Sequence, residues 1–435
     1  MIVLPAEPLS PARAARRAAR GDDPFWLTSP GPHADVAIAF DAVGADPVRV
    51  VRGGDLDELE EVWRAERRLW SAAEEPPAWL PIGVGWWCYD LGRRWIPLPA
   101  RAADDHGWPD LEVRFHDAVW MRDAARGTAR ILARDQRAAR RLAERLAAPA
   151  AVPAPTAPAA IGAFTTDWPA ADYFGAVQRI LTYLVAGDAY QVNLARRLSA
   201  ALPPGDPLWI AEALRARAPA PHAIWLGCNG GRDYLVGNSP ERFLYADGRG
   251  AIETRPIKGT RPRGAGAAAD DQLKRELLAA PKERAEHVMI VDLERNDLGR
   301  VCAPGSIAVE GLARVMELPT VFHLVTTVRG RLRPEVGLAA LLRATFPGGS
   351  ITGAPKRRAM EIIEELEPVR RGPYTGATGW LGAAGDLDLA VAIRTALVRG
   401  QTLTLSVGGG IVADSDAQAE LAETEAKARA FRDLC

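Results

Sequence analysis

The sequence predicts an α+β fold. Strand-like and helix-like segments are mixed without a regular βαβ alternation, and several strand-like pairs are close enough to form hairpins. No internal repeat is visible that would signal a solenoid or propeller.

The elements follow in order. Residues 54–72 and 133–147 read as helices, and Ala34–Phe40 and Thr128–Ala133 as strands. From Ala147 to Ala160 alanine alternates with proline, which removes backbone donors and favours extended chain. Residues 147–160 are therefore expected to be a connector between an N-terminal part, 1–146, and a catalytic part, 161–435. Beyond it, Asp172–Ala186 reads as an amphipathic helix, with Tyr173, Val177, Ile180, Leu181 and Leu184 at helical spacing. Further helices are expected at Asp270–Leu278, Lys282–Leu293, Lys356–Leu366 and Asp416–Leu434. Strands are expected at Ala223–Cys228, Arg242–Ala246, Val321–Arg329, Leu387–Val398 and Thr402–Val407.

Composition narrows the function classes. Lys plus Arg (54) nearly cancels Asp plus Glu (55), so the basic excess of a nucleic-acid binder is missing. No run of about 18 apolar residues could span a membrane, and the first residues make a poor secretory signal. Cys88, Cys228, Cys302 and Cys435 form no CxxC and do not cluster with histidine, which argues against a zinc site or disulfide framework. A cytoplasmic protein acting on small molecules or another protein is the expectation.

Most chemistry-bearing combinations lie after the connector. Glu283 and Glu286 are three apart in one expected helix, and Glu420 and Glu423 in another, so each pair shares a helical face. If the faces meet, four carboxylates would repel unless a cation sits among them, and hard carboxylate oxygens suit Mg²⁺. The same spacing also fits a solvated surface. Lys258 lies among Arg255, Arg261 and Arg263. Like charges and partial burial would lower its pKa and supply a nucleophilic amine. The alternative is a basic loop in which Lys258 is one more positive charge.

Gly408-Gly-Gly410 follows an expected strand and could expose successive N–H groups to an anion. Arg394, in the strand-like Ala390-Val-Ala-Ile-Arg-Thr, could grip a carboxylate bidentately. Phe346-Pro-Gly-Gly-Ser-Ile-Thr-Gly-Ala-Pro-Lys356 lacks the Lys-Ser/Thr of a phosphate loop and reads as a turn into a helix near Pro355. Glu241 could act as a general acid and His323 could orient a reacting group.

Read together, these segments resemble the chorismate-utilising enzyme family, which includes anthranilate, aminodeoxychorismate, isochorismate and salicylate synthases. The resemblance rests on Gly187-Asp-Ala-Tyr-Gln-Val-Asn-Leu194, Ser239-Pro-Glu-Arg-Phe243, Thr254-Arg-Pro-Ile-Lys-Gly-Thr260 and Ala285-Glu-His-Val-Met-Ile-Val-Asp-Leu-Glu-Arg-Asn-Asp297. Phe346–Lys356 and Gly408-Gly-Gly-Ile-Val-Ala-Asp-Ser415 complete it. It implies two packed antiparallel sheets surrounded by helices, as in anthranilate synthase.

It also implies roles. Mg²⁺ would be held by Glu286 and Glu423, with Glu283 and Glu420 beside them, and would bind the ring carboxylate of chorismate. Arg394, Tyr374, Gly408 and Gly409 would hold the substrate's carboxylates, and Gly259, Thr260, Thr352 and Lys427 complete the implied binding set. Glu241 would assist loss of the C4 hydroxyl, with His323 at the active centre. Members that add water have a lysine base where this chain has Gln191, which cannot take a proton from water. Anthranilate synthases usually have alanine where this chain has Lys258. The Pro-Ile-Lys-Gly-Thr form resembles the aminodeoxychorismate branch, in which the lysine attacks C2 and ammonia then enters at C4. No cysteine lies in the Gly-x-Cys-x-Gly setting of a glutaminase, so the implied ammonia source is a separate glutamine amidotransferase subunit. An anthranilate synthase subunit and a catalytically silent chorismate-binding subunit are the rival readings.

Overall fold

The strands gather into two antiparallel sheets, seen in the computed structural model, which describes residues 1–7, 9–29, 40–71, 76–148 and 160–434. Among the described residues the first sheet has 11 strands. It runs from Ile2–Pro5 through Ala129–Ala133, Ala118–Asp123, Phe40–Gly44, Phe25–Ser29, His222–Cys228, Asp233–Ser239, Thr395–Arg399, Thr402–Ile411 and Gln191–Ala201 to Gly353–Ala354. The second runs from Ile257–Pro262 through Val321–Arg331, Ala251–Arg255, Arg242–Ala246, Leu387–Val391, Ala377–Gly382, Pro81–Trp87 and Leu111–Phe115 to Arg49–Gly53. Ala308–Glu317 also pairs with Val321–Arg331.

Strands from before and after the alanine–proline connector are neighbours in both sheets. Phe25–Ser29 pairs with His222–Cys228, and Pro81–Trp87 with Ala377–Gly382. Most of the connector, residues 149–159, lies outside the described residues, as does nearly all of the Ala34–Phe40 segment.

Side chains alternate across a strand, and here both faces are buried. Ile224, Leu226 and Leu235 of the first sheet share a core with Val84, Trp380 and Leu389 of the second, so the sheets pack face to face. Trp225 and Val236 point the other way, into a second core closed by Leu142, Leu146, Leu214 and Phe431 of the covering helices. Each large apolar side chain fully buried in this way contributes about 1.5–3 kcal/mol.

Several expected elements form with nearly the expected bounds, including the Lys356–Leu366 helix and the Arg242–Ala246 strand. Two differ in ways that shape the site. The expected strand Leu387–Val398 is two strands, one in each sheet, because the chain turns at Arg394 (φ 49°). Arg394 is thus at the crossing between sheets rather than in a strand. The expected Thr402–Val407 strand runs on to Ile411, paired throughout with Gln191–Ala201. Gly408-Gly-Gly410 is therefore part of the strand itself rather than following it. The neighbouring backbone explains the glycine, since a Cβ at Gly408 would lie 2.5 Å from the carbonyl oxygen of Leu194.

Candidate active site

One end of each sheet meets at a polar site. The second sheet contributes Ile257–Pro262 at its edge, and the first contributes Gln191–Ala201 and Thr402–Ile411. Helices Pro281–Gly299 and Ala417–Arg432 pack against these strands.

Lys258 is aimed by a bulge. Register against Val321–Arg331 shifts between Lys258 and Thr260, and Gly259 occupies the shift with φ 70°. The residue as a whole keeps some exposure, but its amine is enclosed and donates to the Ser350 carbonyl at 3.4 Å. Burial pushes that amine below the ordinary lysine value, and Lys427 pushes the same way while Glu286 opposes. The neighbouring arginines are not the cause. Arg255 pairs with Glu253 at 2.8 Å, Arg261 with Glu283 at 2.6 Å, and Arg263 with Asp270.

Glu241 is buried in the turn between Asp233–Ser239 and Arg242–Ala246. Burial raises its carboxyl to about 7, with the Ser350 side chain and the charges of Lys258 and Lys427 holding it back. Behind it lies Glu294 of Pro281–Gly299, which accepts from the Thr254 hydroxyl at 2.6 Å. Burial lifts Glu294 to about 8, and the negative charge of Glu241 adds to the shift.

His323 is buried, with its ring pushed down to about 3 by burial and by Arg394. Its Nδ1 lies 3.2 Å from the Gly259 carbonyl and 3.0 Å from the Thr260 hydroxyl. Its Nε2 has no partner among the described residues. Gln191 is fully buried with neither end of its amide hydrogen-bonded there, and Asn193 Oδ1 is equally orphaned. Such atoms are costly without a partner, so water or a ligand is expected against them. Thr352 differs: its hydroxyl donates within its own turn to the Gly348 carbonyl at 2.9 Å.

The glutamates divide. Among the described residues, no three acidic, histidine or cysteine side chains are grouped as a ready metal site. Glu283 is drawn to Arg261, though its Oε2 stays buried and unpartnered. Glu420 accepts from the Ser415 hydroxyl at 2.6 Å, and Glu423 pairs with Lys427 at 2.6 Å. Glu286 senses the others: burial raises its pKa, and the charges of Glu420 and Glu423 raise it further. A Cβ at Gly409 would lie 3.3 Å from Glu420 Oε2, 3.6 Å from Glu423 Oε1 and 3.7 Å from Lys427 Nζ. The glycine therefore leaves open space in front of all three.

Arg394 has its pKa lowered by burial, and among the described residues no carboxylate stands at ion-pair distance from it. Tyr374 is buried beside the Arg371–Glu367 pair.

Residues 22–433 match the family described as chorismate binding enzyme. The chain belongs to that family. It is 43% identical over 410 residues to aminodeoxychorismate synthase component 1 of Klebsiella aerogenes, covering 88% of each chain. It is also 39% identical over 444 residues to anthranilate synthase component 1 of Streptomyces coelicolor, covering 97% of this chain and 86% of that protein. Among solved structures, anthranilate synthase component I of Streptococcus pneumoniae aligns with TM-score 0.79 at 29% identity, over 91% of this chain and 93% of that one. The menaquinone-specific isochorismate synthase of Escherichia coli aligns with TM-score 0.79 at 20% identity, which speaks for the fold alone.

Within this chorismate-binding fold, sequence reasoning missed five residues. Tyr173 has a buried, unpartnered hydroxyl and is influenced by Glu420 and Glu423. Lys282 acts electrostatically on Glu286, Glu420 and Glu423. Asn193, Ser350 and Glu294 adjoin Gln191, Lys258 and Glu241. Asn193 and Ser350 lie inside recognised motifs and could have been read from position alone. Glu294 lies inside the Ala285–Asp297 motif as well, whereas Tyr173 read as an ordinary residue of an amphipathic helix.

Proposed function

We propose that this chain is component I of an aminodeoxychorismate synthase, replacing the C4 hydroxyl of chorismate with an amino group. The observation that carries the reading is Lys258, an enclosed amine below its ordinary pKa at the point where the family resemblance puts a small residue, usually alanine, in anthranilate synthases. Overall similarity to relatives of both kinds is too even to decide.

In this reading the unprotonated Lys258 amine bonds to C2 while the C4–oxygen bond breaks, ring electrons shifting between the two carbons. Glu241, protonated near neutral pH, gives its proton to the departing oxygen, which leaves as water. Ammonia then bonds to C4, the C2–nitrogen bond breaks, and Lys258 leaves as a free amine. The surplus proton on the new amine returns to Glu241. Arg394, Tyr374, Lys427 and the strand backbone at Gly408 and Gly409 would hold the carboxylates, with Gly259, Thr260 and Thr352 lining the same site. Gln191 and His323 offer uncharged hydrogen-bonding groups, and neither is a base of the kind that water addition needs.

The acidic residues fit a hard divalent cation. Glu286 and Glu420 are pushed up by burial and by neighbouring carboxylates, Glu283 keeps an orphaned oxygen, and Gly409 leaves room before Glu420 and Glu423. Glu286 and Glu423, with Glu283 and Glu420 beside them, would hold Mg²⁺. Bound there, it would neutralise a substrate carboxylate and favour its orientation.

Ammonia would come from a separate glutamine amidotransferase. Cys88, Cys228 and Cys302 are buried, and burial pushes the Cys228 thiol up to about 12, so these are poor glutaminase nucleophiles. The deciding experiment incubates the purified chain with chorismate, Mg²⁺ and ammonium and identifies the product by mass and chromatography. After the appropriate lyase, p-aminobenzoate is expected. Anthranilate as the product would overturn the reading.

A further inference from the structure

Among the described residues, Glu283, Glu420 and Glu423 each have a partner inside the protein, and Glu286 has none. Glu423 and Lys427 are four apart on Ala417–Arg432, with glutamate on the N-terminal side, the favourable order for a helical ion pair. Lys427 Nζ lies 2.6 Å from Glu423 Oε1 and also donates to the Gly408 carbonyl at 2.7 Å. One ammonium thus bridges an acidic residue and the glycine strand, and it borders the space that the missing Cβ of Gly409 leaves open.

We propose that Lys427 is a built-in counter-ion for Glu423, and that a divalent cation binds by exchange, displacing the ammonium from the carboxylate. The inference rests on the reading of Glu423 as a cation ligand. A divalent ion at Glu423 and an ammonium at 2.6 Å from the same oxygen cannot both be held there at full strength. The freed ammonium stays tethered near Gly408, where a substrate carboxylate gives it a new partner. Cation and substrate therefore favour each other's binding, and the coupling is reciprocal. Lys427 acts as a positioning residue, linking the two occupancies.

The test is Mg²⁺ binding to the whole chain without substrate, measured by calorimetric titration and checked by Mn²⁺ electron paramagnetic resonance. Lys427→Gln should bind Mg²⁺ roughly three- to tenfold more tightly than wild type, the range expected for losing a partly exposed ion pair and a like charge. Lys427→Arg, which keeps the charge, should stay near wild type, and Glu423→Gln should bind more weakly. Mg²⁺ should also improve chorismate affinity less in Lys427→Gln than in wild type. Binding that is detectable only in Lys427→Gln supports the exchange as well. Wild-type binding with Lys427→Gln unchanged or weaker overturns the exchange and leaves the metal reading standing. Failure of every variant to bind either ion removes both.

Discussion

Gly259 and Glu283 approach so closely that a Cβ on the glycine would stand 2.2 Å from Glu283 Oε2. The glycine also holds φ 70°, a conformation that costs an L side chain about 1–2 kcal/mol. Gly259→Ala must therefore distort the bulge that aims Lys258 or push Glu283 away. Displacements of about 1 Å at a reacting centre can cost 10²-fold. A kcat fall of at least about tenfold is expected, with the circular dichroism spectrum retained. Wild-type kcat in this variant would mean that the bulge does not set the position of the amine.

Lys258 decides between the two amination readings. Incubation with chorismate and no ammonia should accumulate an adduct on the peptide containing Arg255-Pro-Ile-Lys-Gly, detectable by mass. Lys258→Ala should still bind chorismate, and any remaining amination should give an anthranilate-type product. Lys258→Arg should be worse in that residual reaction, since arginine stays charged and fills the space. Aminodeoxychorismate formed by Lys258→Ala at the wild-type rate would reduce Lys258 to one more cation of a basic loop.

Two groups with opposite requirements set the pH dependence of adduct formation. Glu241 must be protonated, so with its carboxyl raised to about 7 by burial, its contribution is full below that pH and falls away above it. Lys258 must be unprotonated, and its depressed pKa moves the rising limb below the ordinary lysine range. Single-turnover rates without ammonia, measured against pH, should trace a bell, rising as Lys258 loses its proton and falling once Glu241 has also lost its own. Glu241→Gln should abolish that falling limb and lower the rate by roughly 10²–10⁴-fold. A falling limb that persists in the Gln variant would assign it to another group.

Local patterns carried much of the site in the sequence. The three-residue spacing of Glu283 with Glu286, and of Glu420 with Glu423, is a property of a single helix and needs no tertiary information. What joins helices and strands was not legible. The arginines around Lys258 looked like the source of its lowered pKa, yet each is paired with a carboxylate: Arg255 with Glu253 on its own strand, Arg261 with Glu283 and Arg263 with Asp270 on the following helices. The apolar run Leu387–Val398 carried no local mark that it changes sheets, because one residue with positive φ suffices for the crossing. The strand Gln191–Ala201 was hidden by Arg196 and Arg197, which bond to Thr424 and Asp105 from elsewhere in the fold, and by Asn193, which is buried with its Oδ1 unpartnered among the described residues.

Glu294 offers a test of the buried acid behind Glu241 that does not depend on turnover. Its carboxyl is raised from 4.5 to about 8, chiefly by burial, while Thr254 opposes the shift. The folded state thus holds a proton that the unfolded chain releases across that interval. A raised carboxyl contributes stability that is fully present below the unfolded pKa and is lost as pH rises through the folded one. Wild type should therefore lose stability between about pH 4.5 and pH 8 through this residue, beyond whatever the other groups contribute. Glu294→Gln keeps the shape and an oxygen for the Thr254 hydroxyl but cannot ionise. Its Tm relative to wild type should rise across that window, by roughly 1 °C per kcal/mol of relief for a chain of 435 residues. Parallel Tm profiles for the two proteins from pH 5 to pH 8 would show that Glu294 is already ionised in the fold, and its place as a neutral acid beside Glu241 would be wrong.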